Sequence, residues 1–116
     1  MKESFMPEFQ TQEDLEAYQL ERLQWTVNHA CRGSDFYRKK FDEAGMMPDH
    51  IRTFDDLKRL PFVTAQDLQD NYPWPLLSVP MKDIVRLHAS SGTTGKRKVL
   101  VYTKKDIDDW ANMFAR

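Results

Sequence analysis

The chain has 116 residues, of which 41% are hydrophobic and 30% charged, a composition that fits one small globular domain. Its 17 basic and 18 acidic residues give a net charge of −1, so overall electrostatics favour neither nucleic acid nor an anionic membrane as a partner. No apolar run approaches the roughly 20 residues that span a bilayer, the N-terminus lacks an apolar signal core, and the single cysteine, Cys31, cannot form an internal disulfide, so we expect a cytoplasmic protein.

The first 72 residues predict helices and turns without a strand. Apolar side chains recur at three- and four-residue steps from Leu20 to Ala30, which is the pattern of one helix face. Thr11, Ser34 and Thr64 stand where helix N-caps are expected, and a glycine follows each of the first two helices. The predicted helices cover residues 12–32, 35–44, 54–60 and 65–72.

The remaining third of the sequence predicts a connector, a hairpin and a final helix. Three prolines within residues 72–81 exclude a regular helix there, and Trp74 and Leu76 are expected to pin this extended segment to the body. The predicted strands are residues 84–89 and 98–102, and the last helix runs from 104 to 116 with Thr103 as its cap. Two strands alone are marginal in water, so we expect further chain or a partner to cover them.

The loop between the two predicted strands carries the clearest chemical signal. Residues 90–98 read Ser-Ser-Gly-Thr-Thr-Gly-Lys-Arg-Lys. Glycines let backbone N–H groups approach an anion, hydroxyls donate to phosphate oxygens, and an ammonium supplies compact positive charge. The candidate phosphate ligands are Ser90, Ser91, Gly92, Thr93, Thr94, Gly95 and Lys96. Such residues also form ordinary turns, so the loop by itself leaves both interpretations open.

The surroundings of the loop narrow its chemistry. It is not a Walker A loop, because Ser90 and Arg97 occupy positions where that motif needs Gly and Ser or Thr. Basic residues surround it, although for Lys104 and Lys105 we favour a solvated surface role. His88 precedes the loop, and a structural histidine bonded to the backbone is the favoured interpretation over a phosphate or acyl contact. We name no catalytic residue and no metal ligand.

The segment from Val85 to Lys96, together with Tyr102-Thr103 and Asp106-Ile107, closely resembles the phenylacetate–coenzyme A ligases, which are adenylate-forming acyl- and aryl-CoA synthetases. Blocks that resemble the N-terminal region of the same family occur in the same order earlier in the chain. They are Leu20–Leu23, Phe36–Arg38, Phe41–Gly45, Leu60–Phe62 and Asp67–Pro73. Two positions depart from the family pattern: Arg97 replaces a usual proline, and Pro75 stands where glycine is common.

The resemblance implies a fold and a reaction. The family fold is α/β, which within this segment is α+β: a helical part over residues 1–83 and the start of a nucleotide-binding domain over 84–116. The implied reaction activates an aryl or arylacetic acid with ATP and Mg²⁺ to an acyl adenylate, and CoA then displaces AMP. In the family the Ser/Thr/Gly-rich loop holds the ATP β- and γ-phosphates, a role that falls here on residues 90–96.

The resemblance also implies what this segment lacks. In the family the adenine pocket, the carboxylate pocket and the lysine-bearing C-terminal domain all lie further along the chain. We therefore expect these 116 residues to be inactive alone. The alternative is a free-standing, non-catalytic anion-binding or dimerisation module derived from such a ligase, so a homodimer stays open.

Overall fold

The computed structural model describes residues 8–90 and 97–116, and it begins with two helices that share a cap region. Helix α1 (Gln12–Gly33) starts where Thr11 Oγ1 accepts the Asp14 N–H at 3.1 Å. Helix α2 (Asp35–Glu43) follows after one residue, Ser34, whose Oγ accepts the Tyr37 N–H at 3.2 Å. Both helices and both caps confirm the prediction from sequence.

A small core lies where α1, α2 and the turn after α2 meet. Its buried members are Val27, Phe41, Met46 and Ile51, with Leu23, Cys31 and Leu60 packed against them. Gly45 ends α2 with φ of 65°, a conformation that suits glycine, and thereby brings Met46 back into the core. Cys31 is therefore a packing residue, as its lone position in the sequence predicts.

Two short segments continue the helical part. The predicted helix after Thr53 is a 3₁₀ helix, Phe54–Arg59, and Asp56 Oδ2 accepts the N–H groups of Arg52 and Thr53 at its start. These bonds to the carboxylate lower the pKa of Asp56. The next helix, α3 (Ala65–Asp70), is shorter than predicted and opens with a capping box between Thr64 and Asp67.

An ion pair ties α3 to α2. Lys40 Nζ lies 2.8 Å from Asp67 Oδ2 and also donates to the carbonyl oxygen of Phe62 at 3.1 Å. The Lys40 ammonium, followed by the Thr64 N–H, holds the pKa of Asp67 below its ordinary value of 3.8. Unlike the other ion pairs of the described residues, this one joins two different helices.

The connector after α3 is held through its backbone. Ser34 Oγ donates to the Pro75 carbonyl oxygen at 3.0 Å, and both residues are buried. Gly33 lies so close to the Ser78 backbone that a Cβ there would overlap the Ser78 carbonyl oxygen. Of the two side chains expected to pin the connector, Leu76 is half-buried and Trp74 is 39% exposed. The hydrogen bond to Pro75 and the close approach at Ser78 both use main-chain carbonyls, which no side-chain pattern reveals.

The last third forms a hairpin followed directly by a helix. Strand β1 (Ile84–Ala89) pairs antiparallel with strand β2 (Val99–Thr103), with an irregularity between Ile84 and Arg86. Helix α4 (Lys104–Phe114) begins where β2 ends, through a capping box between Thr103 and Asp106. The structure thus confirms the α+β organisation and places each predicted strand within one residue.

The described residues form an open arrangement. The Cα radius of gyration is 16.2 Å, against about 13 Å for a compact domain of this size. None of the described helices is both long enough and apolar enough to cross a membrane.

Candidate functional site

The two ends of the candidate loop are joined by hydrogen bonds between Ser90 and Lys98, and we call this pair of residues the neck. Ala89 and Val99 are the last paired residues of β1 and β2. Beyond them the Ser90 N–H donates to the Lys98 carbonyl oxygen at 2.9 Å, and the Lys98 N–H donates to Ser90 Oγ at 3.0 Å. Val99 is buried at the base of this neck. The two ends of the loop are therefore fixed next to each other by two bonds and a packed side chain.

Of the predicted phosphate ligands, Ser90 is the one that the structure describes. Its N–H is committed to Lys98 and is not available to an anion. Its exposed hydroxyl accepts one hydrogen bond and keeps its own proton, which can still be donated to a phosphate oxygen. The other six, Ser91, Gly92, Thr93, Thr94, Gly95 and Lys96, lie outside the described residues.

An aromatic cluster joins the hairpin to α4 below the loop. The ring centroid of His88 lies 4.9 Å from that of Tyr102 and 5.9 Å from that of Trp110, and Tyr102 and Trp110 stack at 6.1 Å. His88 and Tyr102 occupy the same sheet face, so α4 packs on that face through Trp110. His88 thus packs against aromatic rings, and no hydrogen bond to the backbone is recorded for it within the described ranges.

The positive charges near the loop divide into two groups. Lys104 and Lys105 pair with Asp108 and Asp109 one helical turn further on, at 2.8 and 2.6 Å. Their side chains are largely exposed, which fits the solvated surface role that the sequence favours. Arg97, which follows Lys96 directly in the sequence, is exposed beside the neck.

Sequence analysis missed the neck and the aromatic cluster. The alternation within each strand could have placed His88 and Tyr102 on one face once the register was known. The bond from the Ser90 N–H to the Lys98 carbonyl also follows from that register, because it continues the pairing of Ala89 with Val99 by one residue. The bond from the Lys98 N–H goes instead to the Ser90 side chain. Within residues 8–90 and 97–116, no three His, Cys, Asp or Glu side chains form a group that could hold a metal ion.

The curated proteins that the sequence matches share one description. The chain is 53% identical over 104 residues to a phenylacetate–coenzyme A ligase of Escherichia coli strain K12, a match that covers 90% of this chain and 24% of the relative. It is 50% identical over 106 residues to the phenylacetate–coenzyme A ligase of Aromatoleum evansii, covering 91% and 24%. The chain spans about a quarter of the length of these curated relatives. No protein-family model matches it.

Solved structures agree with the sequence comparison. A crystal structure of 2-hydroxyisobutyryl-CoA ligase in complex with 2-HIB-AMP and CoA matches with a TM-score of 0.80 and 32% identity, over 91% of this chain and 24% of that one. The same ligase in its postadenylation state, with 2-HIB-AMP, matches with a TM-score of 0.81 and 28% identity, over 94% and 24%. The backbone described above therefore recurs inside CoA ligases that are about four times longer.

Proposed function

Because the chain belongs, over the segment it spans, to the phenylacetate–coenzyme A ligase family, we propose that its hairpin loop binds the β- and γ-phosphates of ATP in an aryl- or arylacetate–CoA ligase. The observation that carries the proposal is the neck. Two hydrogen bonds between Ser90 and Lys98 join the two ends of a Ser/Thr/Gly/Lys sequence. Fixed ends reduce the ordering cost that a phosphate must meet when it binds the intervening N–H groups.

The proposed chemistry is electrostatic. In acid activation by ATP, negative charge grows on the pyrophosphate that leaves when the carboxylate attacks the α-phosphate. Backbone N–H groups of the loop, its hydroxyls and the Lys96 ammonium would stabilise that charge, which is how preorganised donors lower a barrier. Ser90 contributes its hydroxyl proton and not its N–H, since the latter is already bonded within the neck.

The other components of the reaction are proposals for the complete enzyme. CoA is the thiol substrate, and a phenylacetate-like aryl acid is the carboxylate substrate. Mg²⁺ is expected with ATP, but the carboxylates of the described residues form no group that fits a metal ion, so we assign it no ligand in this chain. We further propose that residues 1–83 and 84–116 belong to different structural units of the enzyme, and that these 116 residues form no acyl-CoA alone.

Titration of the chain with pyrophosphate and with ATP tests the loop assignment. We expect binding that Lys96→Ala weakens about tenfold or more, because a hydrogen bond to a charged group contributes about 1.5–3 kcal/mol. Lys104→Ala is the matched control, since Lys104 is exposed and paired with Asp108, and it should leave the dissociation constant within about twofold. Equal loss in both variants would show general charge attraction and contradict the assignment.

The activity statement has a separate test. The purified chain is incubated with ATP, Mg²⁺, CoA and phenylacetate, and phenylacetyl-CoA is measured by chromatography beside the intact Escherichia coli relative. We expect product from the relative and none from the chain. Thioester formed by the chain would overturn this part of the proposal. The alternative, a non-catalytic dimerisation module, is favoured only by the open hairpin edges, and light scattering after size exclusion distinguishes it.

A further inference from the structure

The hairpin and α4 present apolar surface on both sides of a two-stranded sheet. We call residues 84–90 and 97–116 the hairpin–helix unit. Leu87 alternates with His88, whose face is covered by α4, and so points away from that helix; its side chain is 48% exposed. On the helix, Trp110 is 40% and Phe114 79% exposed, and their rings lie 5.9 Å apart. Among the described residues, each strand also has one edge without a neighbour.

The polar side of α4 is already satisfied within the helix. Lys104 pairs with Asp108 and Lys105 with Asp109, so the charges of this side balance locally. Arg86 and Arg97 are exposed as well, but the large uncovered side chains Leu87, Trp110 and Phe114 are apolar or aromatic. A partner for this unit must therefore supply apolar surface and a strand for an open edge.

Two occupants meet these requirements: a second copy of the chain, or the part of a CoA ligase that lies beyond the matched segment. The comparison favours the second. The same backbone is found with TM-scores of 0.80 and 0.81 inside chains of which it makes up 24%, so this arrangement is one that a much longer polypeptide accommodates. The curated relatives likewise extend over about four times the length of this chain.

We propose that the chain, through its hairpin–helix unit, binds the remaining three quarters of a phenylacetate–coenzyme A ligase when that portion is supplied as a separate polypeptide. The inference rests on the proposed function, because it takes the chain to be a working segment of such an enzyme. A strand of the partner pairs with an open hairpin edge, and its apolar residues cover Leu87, Trp110 and Phe114.

Co-expression provides the test. The chain is produced with an affinity tag, together with the Escherichia coli relative lacking the quarter that matches this chain, and the complex is isolated at 0.1 M and 1 M salt. We expect a one-to-one complex by light scattering that survives the higher salt. A partner that stays insoluble, two species that elute apart, or a homodimer of the chain without the partner would each overturn the proposal.

A matched pair of variants locates the interface. Phe114→Glu changes an exposed residue of α4, whereas Phe62→Glu changes a residue of the helical part that is 87% exposed. Both should leave the circular dichroism spectrum of the chain unchanged. We expect Phe114→Glu to reduce recovery of the complex at least tenfold and Phe62→Glu to change it less than twofold. Equal losses would refute the assignment to the hairpin–helix unit.

The activity of the isolated complex separates this inference from the proposed function. If the complex forms and its phenylacetyl-CoA formation or pyrophosphate binding is insensitive to Lys96→Ala, the phosphate role of the loop fails while the interface stands. If no complex forms while the chain alone binds pyrophosphate through Lys96, the interface fails while the loop assignment stands.

Discussion

Replacement of Gly33 by alanine tests the contact that joins the helical part to the connector. Gly33 is the last residue of α1, and its backbone is not in the left-handed region, unlike that of Gly45. Helix propensity alone therefore predicts a gain of up to about 1 kcal/mol for alanine. The added Cβ, however, would overlap the Ser78 carbonyl oxygen and lie 2.7 Å from its carbonyl carbon.

The steric cost of the added Cβ is larger than the gain in helix propensity. The obstructing atoms are backbone, so relief requires the connector itself to move, and overpacking of this kind costs about 1–3 kcal/mol. That movement also stretches the 3.0 Å bond from Ser34 Oγ to the buried Pro75 carbonyl oxygen, and an unsatisfied buried group costs about 1–3 kcal/mol. After the gain in propensity is subtracted, we expect a net destabilisation of about 1–5 kcal/mol.

Urea unfolding followed by tryptophan fluorescence and circular dichroism measures this change. Gly45→Ala is the control, because a Cβ at Gly45 meets nothing within 4 Å and the cost there is only the strain of φ at 65°, about 1 kcal/mol. Gly33→Ala should therefore be the more destabilised variant. A Gly33→Ala protein as stable as the wild type, or more stable, would refute the close contact with Ser78.

Two further predictions concern the helical part. Asp67 has a lowered pKa in the folded chain, so its contribution to stability is present above the ordinary value of 3.8 and is lost as the pH falls below it. The urea midpoint of the wild type should therefore drop more between pH 5 and pH 2.5 than that of Asp67→Asn. Parallel profiles of the two proteins would contradict the Lys40 pairing. Phe41 is 4% exposed, so Phe41→Ala should lower the free energy of unfolding by about 3–5 kcal/mol, measured by thermal or urea unfolding. Phe62 is 87% exposed, and Phe62→Ala should change that free energy by no more than about 0.5 kcal/mol. A small effect at Phe41 would place the core elsewhere.

The features that sequence predicted well are the local ones. Thr11, Ser34, Thr64 and Thr103 each cap a helix through a bond to the backbone N–H three residues on. Such bonds depend on neighbours along the chain, and residue types at fixed short spacing therefore reveal them. The strands could be predicted for a similar reason, since an apolar run lies directly on each side of the loop.

The features that sequence did not predict depend on distant residues. Ser34 and Pro75 are 41 positions apart, and their bond uses a carbonyl that every residue possesses. The role of Gly33 likewise came from the approach of Ser78, which no local pattern shows. At the candidate site, the backbone bond of Ser90 follows from the strand register, while the phosphate contacts of residues 91–96 stay a prediction.

Because of the neck between Ser90 and Lys98, the entropic cost of closing the loop is met when the chain folds and not when a phosphate binds. Seven residues, 91–97, lie between the two bonded ends. Bringing together the ends of such a segment costs chain entropy. Strand pairing meets this cost when the hairpin folds, before any nucleotide arrives. A phosphate that binds afterwards therefore meets a segment whose two ends are already joined, and its affinity need not include the work of joining them.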